Sequence, residues 1–159
     1  SMEYETSEVL KITGALTVTL FDKNGNVKDK RDAKNLVVSA GKTFIASSMT
    51  KTTTNSPAAM THMAIGTGTT TPAVGQTTLT TEAGRVTLAS GTASSNQVTY
   101  TATFPAGTGT GAITEAGIFN TSLGGDGTLT KALLCRTTFP VVNKASGDSI
   151  AITWVVTVS

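Results

Sequence analysis

The ten residues SIAITWVVTV (149–158) decide the fold class, because their side chains alternate between two sets along the chain. The even positions carry large apolar side chains, namely Ile150, Ile152, Trp154, Val156 and Val158. Such a period of two is typical of a β-strand, in which successive side chains point to opposite faces of the sheet. The intervening residues are also fairly apolar, so we expect this strand to lie in the middle of a sheet.

The same alternation recurs along most of the chain. Threonine, which suits a pleated and half-buried surface, supplies about a fifth of the residues. Asn24-Gly25 is a strong hairpin signal, since both residues tolerate a positive φ, and the charged return arm after it should be exposed. Strands are predicted from Leu10 to Leu20 and over residues 60–66, 85–90, 97–104, 113–119, 129–139 and 149–158.

The stretch NLVVSAGKTFIASSMTK (35–51) changes period and predicts one short helix with Ser39 as its N-cap. TKTTTNSP (50–57) has no periodicity, and we expect a mobile surface loop there. The predicted fold is all-β and mainly antiparallel, a β-sandwich with one short α-helix near residues 40–49. The predicted core includes Trp154, Ile152, Phe104, Phe119 and Leu134.

The length of the chain favours one domain overall. Within it, we expect residues 1–34 to form an N-terminal strand and hairpin arm that packs on or docks to a β-sandwich module of residues 35–159.

A phosphate-binding loop is the sharpest catalytic or cofactor motif to test, because GKT follows an apolar run in LVVSAGKTFIAS (36–47). Such a loop needs a glycine five residues before the glycine of GK, and Leu36 stands there. The alternating strand and helix units of a nucleotide-binding sheet are also missing. We therefore predict no nucleotide cofactor, and we expect Lys42 to be an ordinary lysine on a helix face.

Other catalytic groups are few. Cys135 and His62 are the single thiol and the single imidazole, and nothing in the sequence places them together. Glu82 and Glu115 form the one pair of carboxylates worth considering for glycoside hydrolysis. The segment DKNGNVKD has its glycine at the wrong position for a calcium loop and lacks the closing glutamate. We predict a non-enzymatic protein without catalytic residues, metal or cofactor.

The charge pattern disfavours two kinds of partner. The net charge is +2, and Asp29 and Asp32 interrupt the one basic cluster, so no continuous track for a nucleic-acid backbone exists. No apolar run reaches the roughly 18 residues that cross a membrane. We expect neither nucleic acid nor membrane as a partner.

Seven segments in a fixed order carry a family resemblance. They are NLVVSAGKTFIA (35–46), HMAIGTGTTTP (62–72), LTTE (79–82), VTYTATF (98–104), ITEAGIFN (113–120), FPVVNK (139–144) and ITWVVTV (152–158). Together they resemble a family of tailed-bacteriophage structural proteins, often labelled tail-fibre or head-decoration proteins. The resemblance implies a noncatalytic component of the virion, assembled in the bacterial host cytoplasm, whose partners are copies of itself and capsid or tail proteins.

A second function class stays open, a carbohydrate- or host-receptor-binding β-sandwich in which exposed loops hold a host surface glycan. The candidate binding loop is the threonine-rich turn that contains Thr67, Thr69, Thr70 and Thr71. Sugar sites usually offer an aromatic platform, yet only 5% of this chain is aromatic and Trp154 is expected in the core. Assembly is therefore the favoured class.

Two features of the sequence bear on assembly and packing. The first segment, SMEYETSEVLKITG (1–14), precedes the family-like region and is predicted to act as a docking arm in a symmetric homo-oligomer. A trimer is preferred over a dimer only because the resemblance points that way. Within ITEAGIFN, Glu115 is predicted to turn outwards or to be buried against Arg85 or Arg136.

Overall fold

The structure is a computed structural model that describes residues 8–50 and 57–159. Residues 51–56 of the predicted loop and the first seven residues of the predicted docking arm lie outside the described residues. The elements in chain order are β1 (Ile12–Phe21), β2 (Val27–Val37), α1 (Ser39–Ser48), β3 (His62–Gly66), β4 (Glu82–Thr87), β5 (Ser90–Ser94), β6 (Gln97–Phe104), β7 (Gly111–Phe119), β8 (Leu133–Lys144) and β9 (Ser149–Val158).

The nine strands form one antiparallel sheet in the order β4-β3-β7-β8-β2-β1-β9-β6-β5. Strand β2 joins its two halves, because its first part pairs with β1 whereas Leu36 and Val37 pair with β8. The sheet curls, so that both halves enclose one core. The predicted all-β antiparallel fold with one short helix is confirmed, and the two layers of the predicted sandwich are the halves of a single sheet.

The first two strands lie inside this sheet. β1 pairs with β2 on one side and with β9 on the other, so residues 12–21 and 27–34 of the predicted arm belong to strands of this sheet. The predicted hairpin between them is confirmed: Gly25 has a φ of 83°. The carboxylate of Asp22 accepts the backbone N–H groups of Asn24 and Asn26 at 2.8 and 2.9 Å, which fixes the turn.

Strand β9 has the position expected from its two apolar faces. It pairs along its whole length with β1 and along most of it with β6. The predicted core residues are also confirmed, since Trp154, Phe104 and Phe119 are fully buried and Ile152 and Leu134 are nearly so.

The region predicted as one strand over residues 85–90 is divided between two strands. β4 ends at Thr87 and β5 begins at Ser90. Between them the N–H of Leu88 donates to Thr61 and the N–H of Ala89 donates to Thr101, at 2.8 Å each. The chain therefore crosses from one half of the sheet to the other within two residues, which its local sequence does not signal.

Strand β8 begins and ends later than predicted. Its predicted end at Phe139 precedes Pro140, which lacks a backbone donor. The strand nevertheless continues, because its pairing with β7 shifts register between Val142 and Thr138, and this irregularity accommodates the proline.

The helix has the predicted range but not the predicted cap. Its N-cap is Val38 in an extended conformation, without a side-chain capping bond, so Ser39 is the first helical residue and the N-cap prediction is wrong. Gly41 is the buried residue of this helix, and a Cβ there would overlap the carbonyl of Leu134. The glycine of GKT thus lets α1 approach β8 closely.

A polar contact connects Trp154 in the core to strand β2. The indole Nε1 of Trp154 donates to Oδ1 of Asn35 at 2.8 Å. The Asn35 side chain occupies the space beside Gly14, where a Cβ would overlap that same oxygen. Gly14 pairs regularly with Asn35 and Val156. Its role is to make room for the amide that satisfies the tryptophan.

Replacing Gly14 by alanine should therefore destabilise the protein by about 1–3 kcal/mol, because the new methyl group displaces Asn35 and leaves the buried indole N–H without an acceptor. Urea unfolding followed by circular dichroism measures the change. Gly75→Ala is the matched control, since a Cβ at Gly75 meets nothing within 4 Å. Equal stability of the two variants would contradict this role for Gly14.

Candidate functional site

The threonine loop, defined as residues 67–81 between β3 and β4, contains the predicted binding residues. Thr69, Thr70 and Thr71 are exposed and Thr67 is half-buried. The hydroxyl groups of these four threonines have no hydrogen-bond partner among the described residues. The loop therefore exposes several threonine hydroxyls. Its backbone is bound on the opposite side by buried side chains of the sheet.

A buried ion pair holds that backbone. The Arg136 guanidinium lies 3.0 Å from Oε1 of Glu115, and both side chains are fully buried. The Glu115 carboxylate also accepts the backbone N–H groups of Gly68, Thr80 and Thr81, at 2.6, 2.8 and 2.8 Å. The carboxylate thus fastens both ends of the threonine loop to β7.

The guanidinium completes the same network. Arg136 donates to the carbonyl of Thr70 at 2.8 Å, to the amide oxygen of Gln76 at 3.1 Å and to the hydroxyl of Thr80 at 3.0 Å. Together with its bonds to Glu115, these contacts satisfy the whole guanidinium. We call this set, Glu115 and Arg136 with their loop partners, the loop clamp.

The clamp decides among the alternatives predicted for Glu115. The carboxylate is buried against Arg136, not against Arg85 and not towards solvent. Arg85 instead pairs with Glu82 at 2.5 Å and lies 3.8 Å above the Phe119 ring. Glu82 and Glu115 are each engaged by a different arginine, and the latter is inaccessible to a substrate.

Cys135 and His62 do not form a catalytic pair. Cys135 is fully buried in the core on β8, and burial raises the pKa of its thiol. His62 lies on β3, where its ring contacts the hydroxyl of Thr61 at 2.7 Å. Partial burial, and secondly the charge of Arg85, lower the pKa of His62. Lys42 is exposed on α1, as predicted for a helix-face lysine.

A second charged cluster lies at the turn between β8 and β9. Asp148 is nearly buried and accepts Nζ of Lys28 at 2.7 Å and the N–H of Ala145 at 2.9 Å. These two bonds hold the pKa of Asp148 below its ordinary value. Lys144 donates to the carbonyl of Pro105 at 2.9 Å, and burial lowers the pKa of its ammonium group. These contacts stabilise the turn between β8 and β9.

The lowered pKa of Asp148 predicts an acid-sensitive contribution to stability. The contribution is present above the unfolded pKa of about 4 and is lost as the pH falls through the lower folded value. Asp148→Asn should therefore flatten the decline in unfolding free energy below about pH 4. Urea titrations at several pH values measure this slope. Parallel curves for the parent and the variant would contradict the assignment.

An apolar groove opens between α1 and the half of the sheet that contains β1, β6 and β9. The groove is lined by Ile12, Phe44, Ile45, Tyr100, Val156 and Val158. Burial raises the pKa of Tyr100 to about 12, consistent with its apolar surroundings. Met49 at the end of α1 also lines the groove and is 79% exposed.

Further exposed apolar residues lie just before β1 and at the end of β9. Leu10, which is 70% exposed, immediately precedes Lys11, whose backbone pairs with Ser159 at the end of β9. Val9 is likewise exposed, and Val158 is partly so. This apolar surface was not predicted. Phe44 and Ile45 of α1 are only half-buried, which the sequence of the helix by itself does not indicate.

The comparisons with known proteins find no relative. No protein-family model matches the chain, and no curated protein or solved structure is significantly similar to it. The resemblance to phage structural proteins stays a prediction from the ordered sequence segments. In the described part of the chain, no helix is long and apolar enough to span a membrane. The same part contains no cluster of three or more side chains suited to bind a metal ion.

Proposed function

We propose that this chain is a non-enzymatic structural module of a tailed-bacteriophage particle, which assembles with copies of itself and with capsid or tail proteins. The phage context comes from the sequence resemblance. The observation that supports assembly is the apolar groove, whose lining residues Met49 and Val158 are exposed. Contiguous exposed apolar surface of this kind marks an interaction site more often than a catalytic one.

The partner that the groove fits best is a second copy of the chain. A symmetric contact places the same patch of each copy against the other, so the exposed apolar residues beside one groove meet those of its neighbour. Only 14% of the residues are charged, so little repulsion opposes this contact.

The chemical groups in the described residues also favour a structural role. The loop clamp uses the buried carboxylate and guanidinium to hold a loop. Cys135 is packed in the core, and its raised pKa disfavours the reactive thiolate. These groups serve stability, whereas the exposed apolar surface has no such role within one chain.

Sedimentation velocity over a wide concentration range tests the proposal. The parent should self-associate, and Met49→Lys should weaken self-association by about tenfold, since it places a charge on the groove rim. Val27→Lys is the matched control: Val27 is 61% exposed at the far end of the β1–β2 hairpin. A chain that stays monomeric at high concentration, alone and with capsid or tail proteins, would overturn the proposal.

The location in a particle needs its own experiment. Antibody-labelled electron microscopy of purified phage particles that encode this chain should show regularly placed label on the head or the tail. Labelling of a known surface protein on the same particles is the positive control. If that protein is labelled and this chain is not, the chain is not a virion component.

Carbohydrate binding is the second candidate, and the threonine loop favours it. Thr69, Thr70 and Thr71 expose hydroxyls on a backbone that Arg136 fixes from below, which is a preorganised hydrogen-bonding surface. Against it, Trp154 is fully buried and provides no sugar platform. Saturation-transfer NMR with bacterial surface glycans would detect binding, which the triple replacement of these threonines by alanine should abolish.

A further inference from the structure

The two edges of the sheet differ in how they are protected. The edge strand β4 carries Glu82 and Arg85, and its pairing with β3 is interrupted by a register shift beside Gly66. Charges and bulges on an edge prevent a further strand from adding to it. The other edge strand, β5, has none of these devices. Its sequence SGTAS contains no charge and no proline, and its pairing with β6 is regular over five residues.

Strand β5 is also open along its whole length. All five of its residues are exposed, and no described strand pairs with its outer side. Its side chains are small and neutral. An extended neutral edge of this kind is a template for another strand. Because a second copy of β5 is equally small and uncharged, self-pairing meets neither steric nor electrostatic opposition.

The backbone hydrogen bonds identify which groups of β5 are available. The N–H of Val158 on β9 donates to the carbonyl of Asn96, whereas the N–H of Ala89, just before β5, donates to that of Thr101. Even-numbered residues of β6 therefore direct their backbone groups to β9, and odd-numbered residues direct theirs to β5. Gly91 and Ala93 lie opposite even-numbered residues of β6. Their N–H and C=O groups consequently point outwards from the sheet.

We infer that β5 is the strand through which two copies of this chain pair, antiparallel and related by a twofold axis. The inference depends on the self-association proposed above and adds to the groove contact a backbone contact through β5, the neighbour of strand β6, whose Val98 and Tyr100 line the groove. In the register that overlaps all five residues, Gly91 of each copy pairs with Ala93 of the other. These two pairs form four backbone hydrogen bonds and make one continuous sheet across both copies.

The register places Thr92 directly opposite Thr92 of the second copy. That pair lies between the two hydrogen-bonded pairs, so it is of the non-hydrogen-bonded kind, with Cα atoms about 4.5 Å apart. This separation is within the range of about 4.4–6.8 Å that a disulfide spans. The twofold axis thus passes beside Thr92, so a cysteine at this position should form a disulfide with its copy.

The first experiment is cross-linking of the Thr92→Cys variant with diamide as the oxidant. Two thiols lose two protons and two electrons to diamide, which becomes the hydrazine, and a disulfide dimer forms. Thr153→Cys is the matched control, because Thr153 is an exposed threonine on an interior strand, β9. The native thiol, Cys135, is buried and provides the background. A disulfide dimer from Thr92→Cys but not from Thr153→Cys supports the inference. Equal dimer yields from the two variants, or no dimer from Thr92→Cys, overturn it.

The second experiment uses Ala93→Pro and measures the dissociation constant by sedimentation. Proline at this position removes an outward N–H and leaves the bonds to β6 intact, so the constant should rise by at least about tenfold. Circular dichroism checks that the variant folds. If the variant does not fold, the cross-linking experiment alone decides whether copies pair through β5. An unchanged constant in a folded variant overturns the inference.

The two proposals fail in different ways. If copies associate, Met49→Lys separates them, and neither β5 variant has an effect, then self-association stands and pairing through β5 is wrong. If the parent stays monomeric alone and with capsid or tail proteins, the proposed function itself fails. Cross-linking at Thr92 together with unchanged association of Met49→Lys would assign assembly to the edge in place of the groove.

Discussion

Replacing Glu115 by glutamine should destabilise the protein by about 3–5 kcal/mol, the range for removing one partner of a buried ion pair. The variant leaves the guanidinium of Arg136 buried without a counter-charge. The new amide also directs its NH₂ group at backbone donors that now contact the carboxylate, among them the N–H of Thr81. Urea unfolding followed by circular dichroism measures the loss.

The matched control for that variant is Glu82→Gln. Glu82 also pairs with an arginine, but its side chain is 31% exposed and Arg85 keeps its hydrogen bond to the carbonyl of Thr121, so the loss should be smaller than for Glu115. Similar losses for the two glutamates would show that burial of the clamp contributes little.

A double variant separates the ion pair from the loop contacts. Exchanging both partners of a buried pair for apolar residues often restores stability. Here Glu115→Leu with Arg136→Met should remain destabilised, because the N–H groups of Gly68, Thr80 and Thr81 lose their acceptor. The N–H of Gly68 is the buried one among these, and an unsatisfied buried donor costs roughly 1–3 kcal/mol. Full recovery in the double variant would contradict the role assigned to these bonds.

Replacing Trp154 by alanine should destabilise the protein by about 3–5 kcal/mol. Trp154 has the largest of the fully buried side chains among the described residues, and its removal leaves a cavity between the halves of the sheet. Trp154 is the single tryptophan, so circular dichroism and not fluorescence must follow the transition. A variant that unfolds at the same urea concentration as the parent would contradict its place in the core.

Trp154→Phe is the informative companion. Phenylalanine keeps much of the apolar volume but cannot donate to Asn35, so the variant should lose less than the alanine variant, about 1–3 kcal/mol. A loss as large as that of alanine would indicate that the hydrogen bond dominates the contribution of this side chain.

The strands with regular alternation were predictable from local sequence. The ranges of β6 and β9 are as predicted, and the central place of β9 follows from apolar residues on both of its faces. The β1–β2 hairpin was predictable because Asn24-Gly25 is a strong hairpin signal, and Gly25 has the positive φ that glycine adopts readily. In each case the signal lies within a few neighbouring residues.

The misassigned elements depend on distant neighbours. Ser39 has the chemistry of an N-cap, yet Val38 is the N-cap in the structure, and Gly41 packs against the backbone of Leu134 on β8. Pro140 ordinarily ends a strand, but the register shift opposite β7 lets β8 continue. The exposed strand β5 has no apolar alternation, so only its pairing with β6 identifies it.

Composition and periodicity were sufficient for an antiparallel β fold with one short helix, since each strand and turn preference acts between residues adjacent in the chain. The partner of Glu115, the groove beside α1 and the open edge at β5 required the folded chain. Each unites residues far apart in sequence, as when Arg136 reaches Thr70 across the threonine loop. Their geometry follows from how the sheet curls, which no local pattern specifies.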